Sequence, residues 1–264
     1  MVEGNLLKMK STLKEVVDYV LPVGSESIPL NELVGQRVKI SYLGQINDIY
    51  DGSVIKKSYA QGYSYKNFIS LARCDSCIVQ PEKCHHHKGT CREPGWGEEN
   101  CFVDHVVYLA VTSAVKVGIT RRSQIPTRWI DQGAVKAIPL VIVKDRLTAG
   151  LIEVEMKSAF GDKTNWRKML GGENELLDLT ELREGVFDQF ADLFDDHGAE
   201  EAHEGEITID YPVKRYPEKI KSVVLDKNPV IDDVLCGIKG QYLIFEKSVF
   251  NVRNHQGYRI RLAA

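Results

Sequence analysis

Five of the six cysteines lie in one stretch, "CDSCIVQPEKCHHHKGTCREPGWGEENC", running from Cys74 to Cys101. Their spacing is Cys-x2-Cys-x6-Cys-x6-Cys-x9-Cys. Two residues between Cys74 and Cys77 let both thiols reach one tetrahedral ion at about 2.3 Å. A second pair must close such a site. Cys84, Cys91 and Cys101 are candidates, as are His85, His86, His87 and His105. Soft thiolates and imidazoles favour zinc. This density favours a metal over inert buried cysteines, and over a redox pair at Cys74 and Cys77, which would need only two thiols. A catalytic zinc keeps an open position, usually with a helical Glu nearby as in His-Glu-x-x-His, and no such pattern occurs. The expected role is a structural zinc that staples "EPGWGE", a segment too short and glycine-rich to pack alone. Cys236 stands apart in an apolar run and reads as core. Upstream, Asp48-x-x-Asp51 and Ser64-x-x-Asn67 repeat the spacing of a zinc-ribbon knuckle pair without cysteine. Hard oxygen donors make a poor zinc site, so ordinary turn residues are the favoured reading there.

The elements that must hold these groups follow from periodicity. "QRVKISYLGQI" alternates apolar and polar positions, as a strand with one buried face does. "YDGS" and "QGYS" carry turn chemistry. "VVYLAV" and "VKVGI", separated by "TSA", predict a β-hairpin. "SQIPTRWIDQGA" predicts a short helix capped by Ser123, with Pro126 in its first turn and Gly133 at its end. "AIPLVIV" predicts a third strand. "TAGLIEVEMKSAF" predicts a helix, with Leu151, Val154 and Ser158 at helical spacing and Gly161 beyond its end. "ENELLDLTELREGVFDQFADLF" predicts an amphipathic helix carrying Leu176, Leu179, Val186, Phe190 and Phe194 on one side. The acidic "DDHGAEEAHEGE" reads as a linker or mobile loop. From Ile207 the chain is β-rich again, with strands around a turn-like "NHQG".

Composition narrows the class. The chain has 264 residues, 43 % of them hydrophobic, so a normal core is expected and wholesale disorder is not. "MVEGNLLKMK" does not resemble a signal peptide and no run of about 18 apolar residues exists, which predicts a cytoplasmic protein with no membrane segment. The net charge of −3 hides an asymmetry. Residues 105–170 hold 11 Lys/Arg against 5 Asp/Glu, a net of +6, whereas residues 171–206 hold 1 Arg against 13 Asp/Glu, a net of −12. A basic segment beside an acidic one points to an anionic partner. The alternative is an acidic face that only balances its neighbour.

"CDSCIVQPEKCH", "GTCREPGWGE", "VYLA", "KVGITR", "IPTRWIDQGA", "DKTNWRKML", "GIKGQYLIFE" and "VFNVRNHQGY" together resemble the bacterial family known as domain of unknown function 2797, over most of the chain. That family often has cysteines where this chain has Asp48, Asp51, Ser64 and Asn67, which implies one metal site lost and the other kept. A looser resemblance links "VYLAVTSAVKVGIT…R…E" to the GIY-YIG nuclease superfamily, especially its T5-phage-type branch. It implies a small three-stranded antiparallel sheet flanked by helices. Tyr108 matches the tyrosine of the first strand and Gly118 the glycine of the second. Arg128 matches the arginine of the next helix, and Glu153 the metal-binding glutamate. Lys116 stands where the pattern has a second tyrosine. Asn165 is a match to the late asparagine.

Phosphodiester hydrolysis needs an activated water, a clamp on the phosphoryl charge and help for the leaving oxygen. A Glu153-held Mg²⁺ would supply the last, Arg128 a bidentate phosphate contact, and Tyr108 a proton relay. Lys116 is a good point charge for phosphate but a poor base unless burial depresses its pKa. Arg121, Arg122, Lys163 and Arg167 are the expected backbone contacts. Taken singly, each residue favours a structural reading, Tyr108 and Trp129 as core aromatics, Glu153 as an exposed carboxylate and Arg128 as the partner of Asp131; their order and spacing together favour the phosphate site.

The expectation is therefore an α+β protein. A β-rich N-terminal part (1–72) leads into a zinc-binding segment (73–104). A GIY-YIG-like core with an acidic helix (105–206) follows, then a β-rich C-terminal part (207–264). The expected function is a Mg²⁺-dependent nuclease or related nucleic-acid-processing protein with a structural zinc. The alternatives are a non-catalytic zinc-containing nucleic-acid-binding protein, and a protein-interaction adaptor acting through the acidic segment.

Overall fold

The alternation in "QRVKISYLGQIN" is realised as the strand Arg37–Asn47, in which Val38 and Ile40 face inward and Arg37 and Lys39 outward. The computed structural model describes residues 1–161, 163–172 and 177–264, an α+β arrangement with three sheets. In the largest, Arg37–Asn47 is flanked by Val230–Lys239 and Tyr258–Ala263, both antiparallel to it. Val2–Asn5 adds to the outside of Tyr258–Ala263, so the N-terminal and C-terminal β-rich stretches are two halves of one sheet. Tyr242–Phe245, Val249–Asn251 and Ser222–Val223 continue it on the other side. Around "NHQG" the flanking strands do not pair with each other: Val249–Asn251 pairs with Tyr242–Phe245, and a short 3-10 turn, Arg253–His255, carries the chain across. Lys10–Thr12, Asp18–Val23 and Glu26–Pro29 form a separate small meander.

The expected hairpin and third strand form the second sheet. His105–Val111 lies between Val115–Arg121 and Lys136–Val143, antiparallel to both. All of its residues are buried, because both faces are covered. Period-2 alternation assigns those faces. Val107, Leu109 and Val111 pack with Ile152, Met156, Val186 and Phe194. Val106, Tyr108 and Ala110 pack with Leu6, Tyr19, Trp129 and Phe250 of the larger core. The sheet thus divides two cores, which explains why "HVVYLAV" has no polar face.

Several sequence expectations are corrected. The helix after the third strand is Arg146–Met156, capped by Asp145, whose carboxylate accepts from Thr148 N at 2.9 Å. Its buried residues are Ala149, Gly150, Ile152 and Met156, whereas Leu151 and Val154 are exposed, so the apolar spacing of Leu151 and Val154 marks the outer side of the helix. Ser123 does not cap Thr127–Asp131. It lies in the 3-10 turn Arg122–Gln124, and Pro126 holds the cap position. Gly133, at φ +72°, does end that helix. In the acidic helix Leu179–Asp196, Leu179, Val186, Phe190 and Phe194 are buried as expected; Leu176 lies outside the described residues. The acidic stretch expected to be a linker or mobile loop contributes one short piece of sheet edge and leads into another. Glu200–Glu201 pairs with Ile142 and Val141, and Ile207–Thr208 with Ala137 and Lys136. Its carboxylates meet basic neighbours: Arg122 with Glu204 at 3.0 Å, Lys136 with Glu206 at 2.8 Å, and Arg183 with Glu201 at 2.8 Å. Residues 202–206 have no regular structure, but backbone pairing on either side and these ion pairs tie the stretch to its neighbours. No helix among the described residues is long and apolar enough to cross a membrane.

Candidate functional site

A cavity of about 700 Å³ opens where the second sheet, the cysteine-rich segment and both ends of the chain meet. Lys116, Gly118, Arg128, Gln132 and Glu153 all line it, although they come from one strand and two helices. Lys8, Arg73, Arg146 and Arg253 line it too, against the acids Asp75 and Glu153. Six cations thus face two acids along its lining. Arg128 is not engaged by Asp131, contrary to one reading of the sequence. The Asp131 carboxylate is held instead by Lys8 and by Gln241, which donates at 2.8 Å. Arg253 donates to Gln61 at 2.7 Å, on a lip where Ala60 and Gln61 both take positive φ, at 41° and 69°.

Tyr108 lies beneath this cleft. It is fully buried, donates to Gln132 Oε1 at 3.1 Å, and meets Trp129 edge-on at 5.7 Å between centroids. It stands directly opposite Gly118. A Cβ at Gly118 would sit 2.7 Å from the tyrosine hydroxyl, so only glycine leaves the ring its place. Burial raises the hydroxyl's pKa above that of an ordinary tyrosine; the Arg128 charge opposes this and the Glu153 charge adds to it. Lys116 is 5 % exposed, on the strand edge beside Gly161. Glu153 has a side chain 13 % exposed and an ion pair with Lys157 at 3.6 Å.

The expected backbone contacts are elsewhere. Arg121 binds the Asn100 side chain and Arg122 binds Glu204. Arg167 stacks on Trp166 at 4.3 Å, and Lys163 is exposed; none of the four lines the cleft. Asn165 is a helix cap, accepting from Arg167 N and Lys168 N at 3.1 and 3.3 Å. Sequence reasoning missed Lys8, Gln61, Arg73, Gln132, Arg146 and Arg253. One signal was available: Arg146 opens a helix, where the macrodipole disfavours a cation.

The cysteine-rich segment makes one wall of the cleft and encloses a second, much smaller cavity of about 20 Å³. Cys77, Cys84, Cys91 and Cys101 all line the small cavity, together with His86. Burial pushes the Cys77 thiol up to about 11, and the charges of Asp75, Cys84, Cys101 and Cys91 add to the effect. His86 Nε2 is buried without a hydrogen-bond partner among the described residues. Gly97 faces this pocket, where a Cβ would make ordinary contacts, 3.4 Å from the His86 ring and 3.5 Å from the Cys91 sulfur. Cys74 is not among these groups and lines the large cleft instead. His85 also sits outside, 2.8 Å from the Thr90 hydroxyl and 3.4 Å from Asp75. Asp75, Cys77 and His85 nevertheless place one donor atom each within 4.8 Å of one another, a group able to hold a metal ion. His105 is committed elsewhere, with Nδ1 2.7 Å from the Val103 carbonyl and burial lowering its pKa to about 4. Cys236 is buried in a small apolar cluster with Met169 and Ile244, as expected of a core residue.

This wall is fastened to the rest of the site. Arg146 Nη2 donates to the Ile78 carbonyl at 2.7 Å. Pro81 packs so closely on Gly150 that a Cβ there would lie 2.5 Å from the proline Cβ. Arg92 pairs with Asp75 at 2.8 Å and donates to the Phe68 carbonyl at 3.0 Å. Asp48, Asp51, Ser64 and Asn67 converge as a hydrogen-bonded knot. The Asn67 amide donates to Asp48 and Asp51 at 2.8 and 2.9 Å, and Ser64 N donates to Asp48 at 2.6 Å. These turn residues hold the loop that carries the Ala60–Gln61 lip.

A family model described as "Protein of unknown function (DUF2797)" matches residues 35–260. No curated protein and no solved structure matches the chain.

Proposed function

We propose a function from the premise that this chain belongs to the DUF2797 family, described without an activity: the basic cleft binds nucleic-acid phosphates, with Glu153 positioned to support their hydrolysis. One observation carries the reading. Lys116, Arg128 and Glu153, far apart in sequence, line the same cavity as four further cations, Lys8, Arg73, Arg146 and Arg253. The resemblance to GIY-YIG nucleases gives Arg128 and Glu153 their roles, while Lys116 stands where that pattern has a tyrosine. Arg128 clamps a phosphate through its planar fork, and Lys116 adds a point charge. A Mg²⁺ ion fits the donor set, since it takes one or two carboxylates and completes its shell with water and phosphate oxygens. Glu153 would hold it, and the ion would neutralise charge on the leaving oxygen.

A second reading, binding without cleavage, is favoured by Tyr108. Its hydroxyl is buried and already donates to Gln132, and Lys116 replaces the second tyrosine of the pattern. The remaining polar work of the site would then be retention of the strand alone.

For the cysteine-rich wall, the chemistry of the donors favours a structural zinc held by Cys77, its other ligands drawn from Asp75 and His85, which already lie within reach, and from Cys84, Cys91 and Cys101 around the small cavity. Thiolates suit zinc, and metal coordination would deprotonate the ligands outright, reversing the rise that burial gives the Cys77 thiol. Metal binding and folding of this wall would then be one equilibrium.

The test measures labelled DNA and RNA with the full chain, for binding across a salt series and for cleavage with Mg²⁺ or Mn²⁺. Salt-steep binding is expected, and Arg128→Ala should weaken it for all sequences while lowering the log–log salt slope by about 1. Cleavage lost in Glu153→Ala would establish the nuclease; binding with no cleavage on any substrate would leave the second reading. Absence of binding on every substrate would refute both.

A further inference from the structure

We propose that the nucleic acid taken by this cleft is single-stranded, its bases lying on an aromatic ledge beside the phosphate-binding cations; this rests on the phosphate-binding reading above. The helix Tyr65–Ser70 presents an exposed apolar face, with Tyr65 58 % and Ile69 50 % exposed. Tyr65 is the outer end of a run of rings. It meets Tyr59 at 5.4 Å, and Tyr59 stacks on Phe68 at 5.9 Å with planes 21° apart. Phe68 lines the cleft itself, so the ledge leads into the basic cavity. A second platform flanks it. Arg73, also lining the cleft, lies between Tyr50 at 5.4 Å and Trp96 at 5.8 Å, and Tyr50 is 52 % exposed.

Rings left in water beside a cluster of cations carry an apolar cost that burial against a ligand would remove. A base offers the matching flat face, and its phosphate reaches the cations one link away. In a duplex the base faces are stacked on one another and out of reach, whereas an unpaired strand can splay them onto tyrosine and guanidinium planes. The shape agrees. The cations lie inside a concave cavity rather than along a broad surface that a convex double helix could follow.

The test is fluorescence anisotropy of the full chain with a labelled single strand and with the same strand annealed to its complement. Wild type, Tyr65→Ala, Tyr50→Ala and Arg128→Ala would be compared, and a thermal melt of each would check folding. The single strand should bind at least about tenfold more tightly than the duplex. Tyr65→Ala or Tyr50→Ala should weaken single-strand binding by roughly five- to a hundredfold, leaving duplex binding unchanged. Equal affinity for both forms, or wild-type single-strand affinity in both tyrosine variants while Arg128→Ala still binds less, would overturn the proposal and leave the phosphate-binding reading in place. Binding of neither form would overturn both.

Discussion

Gly118→Ala should destabilise this protein by roughly 2 kcal/mol, because of the ring opposite it. An added Cβ would lie 2.7 Å from the Tyr108 hydroxyl, 2.8 Å from Cζ and 3.2 Å from Cε2. Comfortable separations are about 3.5–4.0 Å, so the ring must retreat by about 0.8 Å or more. It has little room, being fully buried and edge-on against Trp129 at 5.7 Å. Overpacking of this kind costs about 1–3 kcal/mol, and losing the 3.1 Å hydrogen bond to Gln132 adds about 0.5–1.5 kcal/mol. Replacing a strand glycine returns about 0.5–1 kcal/mol of chain entropy, which offsets only part of the loss. For a chain of this size the net effect corresponds to a drop of about 4–8 °C in Tm, readable by circular dichroism. Tyr108→Phe removes the atom nearest the new methyl but leaves Cζ, so Gly118→Ala should cost less in that background without becoming neutral. A Gly118→Ala protein that melts with wild type would refute the packing argument, and with it the assignment of Tyr108 to the core beneath the cleft.

Two further outcomes follow from the buried groups. Cys77→Ser should lower both the zinc content, read by mass spectrometry of the purified protein, and the melting temperature, whereas Cys74→Ser should leave metal content unchanged; loss of metal in Cys74→Ser would put that thiol back among the ligands. Lys239 is fully buried with no hydrogen-bond partner for Nζ among the described residues, and burial lowers its pKa from 10.5 to about 8. The Tyr211 and Tyr216 rings, 5.5 and 5.6 Å away, favour its charged form only in part. From about pH 8 up to its ordinary value of about 10.4, the unfolded chain holds a proton that the folded chain has released, so this residue makes stability rise with pH. Below pH 8 its cost is present in full, up to about 3 kcal/mol. Lys239→Met should therefore melt above wild type at pH 7, and the gap should narrow by pH 10; equal melting at both pH values would refute this.

Local elements were legible because their signals are local. The hairpin around "TSA", the strand "AIPLVIV" and the buried side of Leu179–Asp196 all follow from period and turn chemistry within a few residues. Arg128 and Glu153 could be singled out because their motifs are short-range and ordered along the chain. The dense cysteines likewise drew attention to this segment, and a group able to hold an ion is present there at Asp75, Cys77 and His85.

Spacing did not decide which thiols meet. Only two residues separate Cys74 from Cys77, yet the turns around them send Cys74 into the large cleft and Cys77 into the small cavity. Nor did it reveal that Glu200–Glu201 and Ile207–Thr208 add to a sheet edge, since strand pairing with Lys136–Val143 depends on a partner dozens of residues away. The cleft belongs to tertiary structure most of all. Lys8 and Arg253 stand near opposite ends of the chain and reach one cavity because Val2–Asn5 and Tyr258–Ala263 are neighbours in a sheet. The sequence determined what each segment would become and which chemistry it carried. Long-range pairing and close packing, such as Pro81 on Gly150 and Tyr108 on Gly118, decided which of those groups share a site.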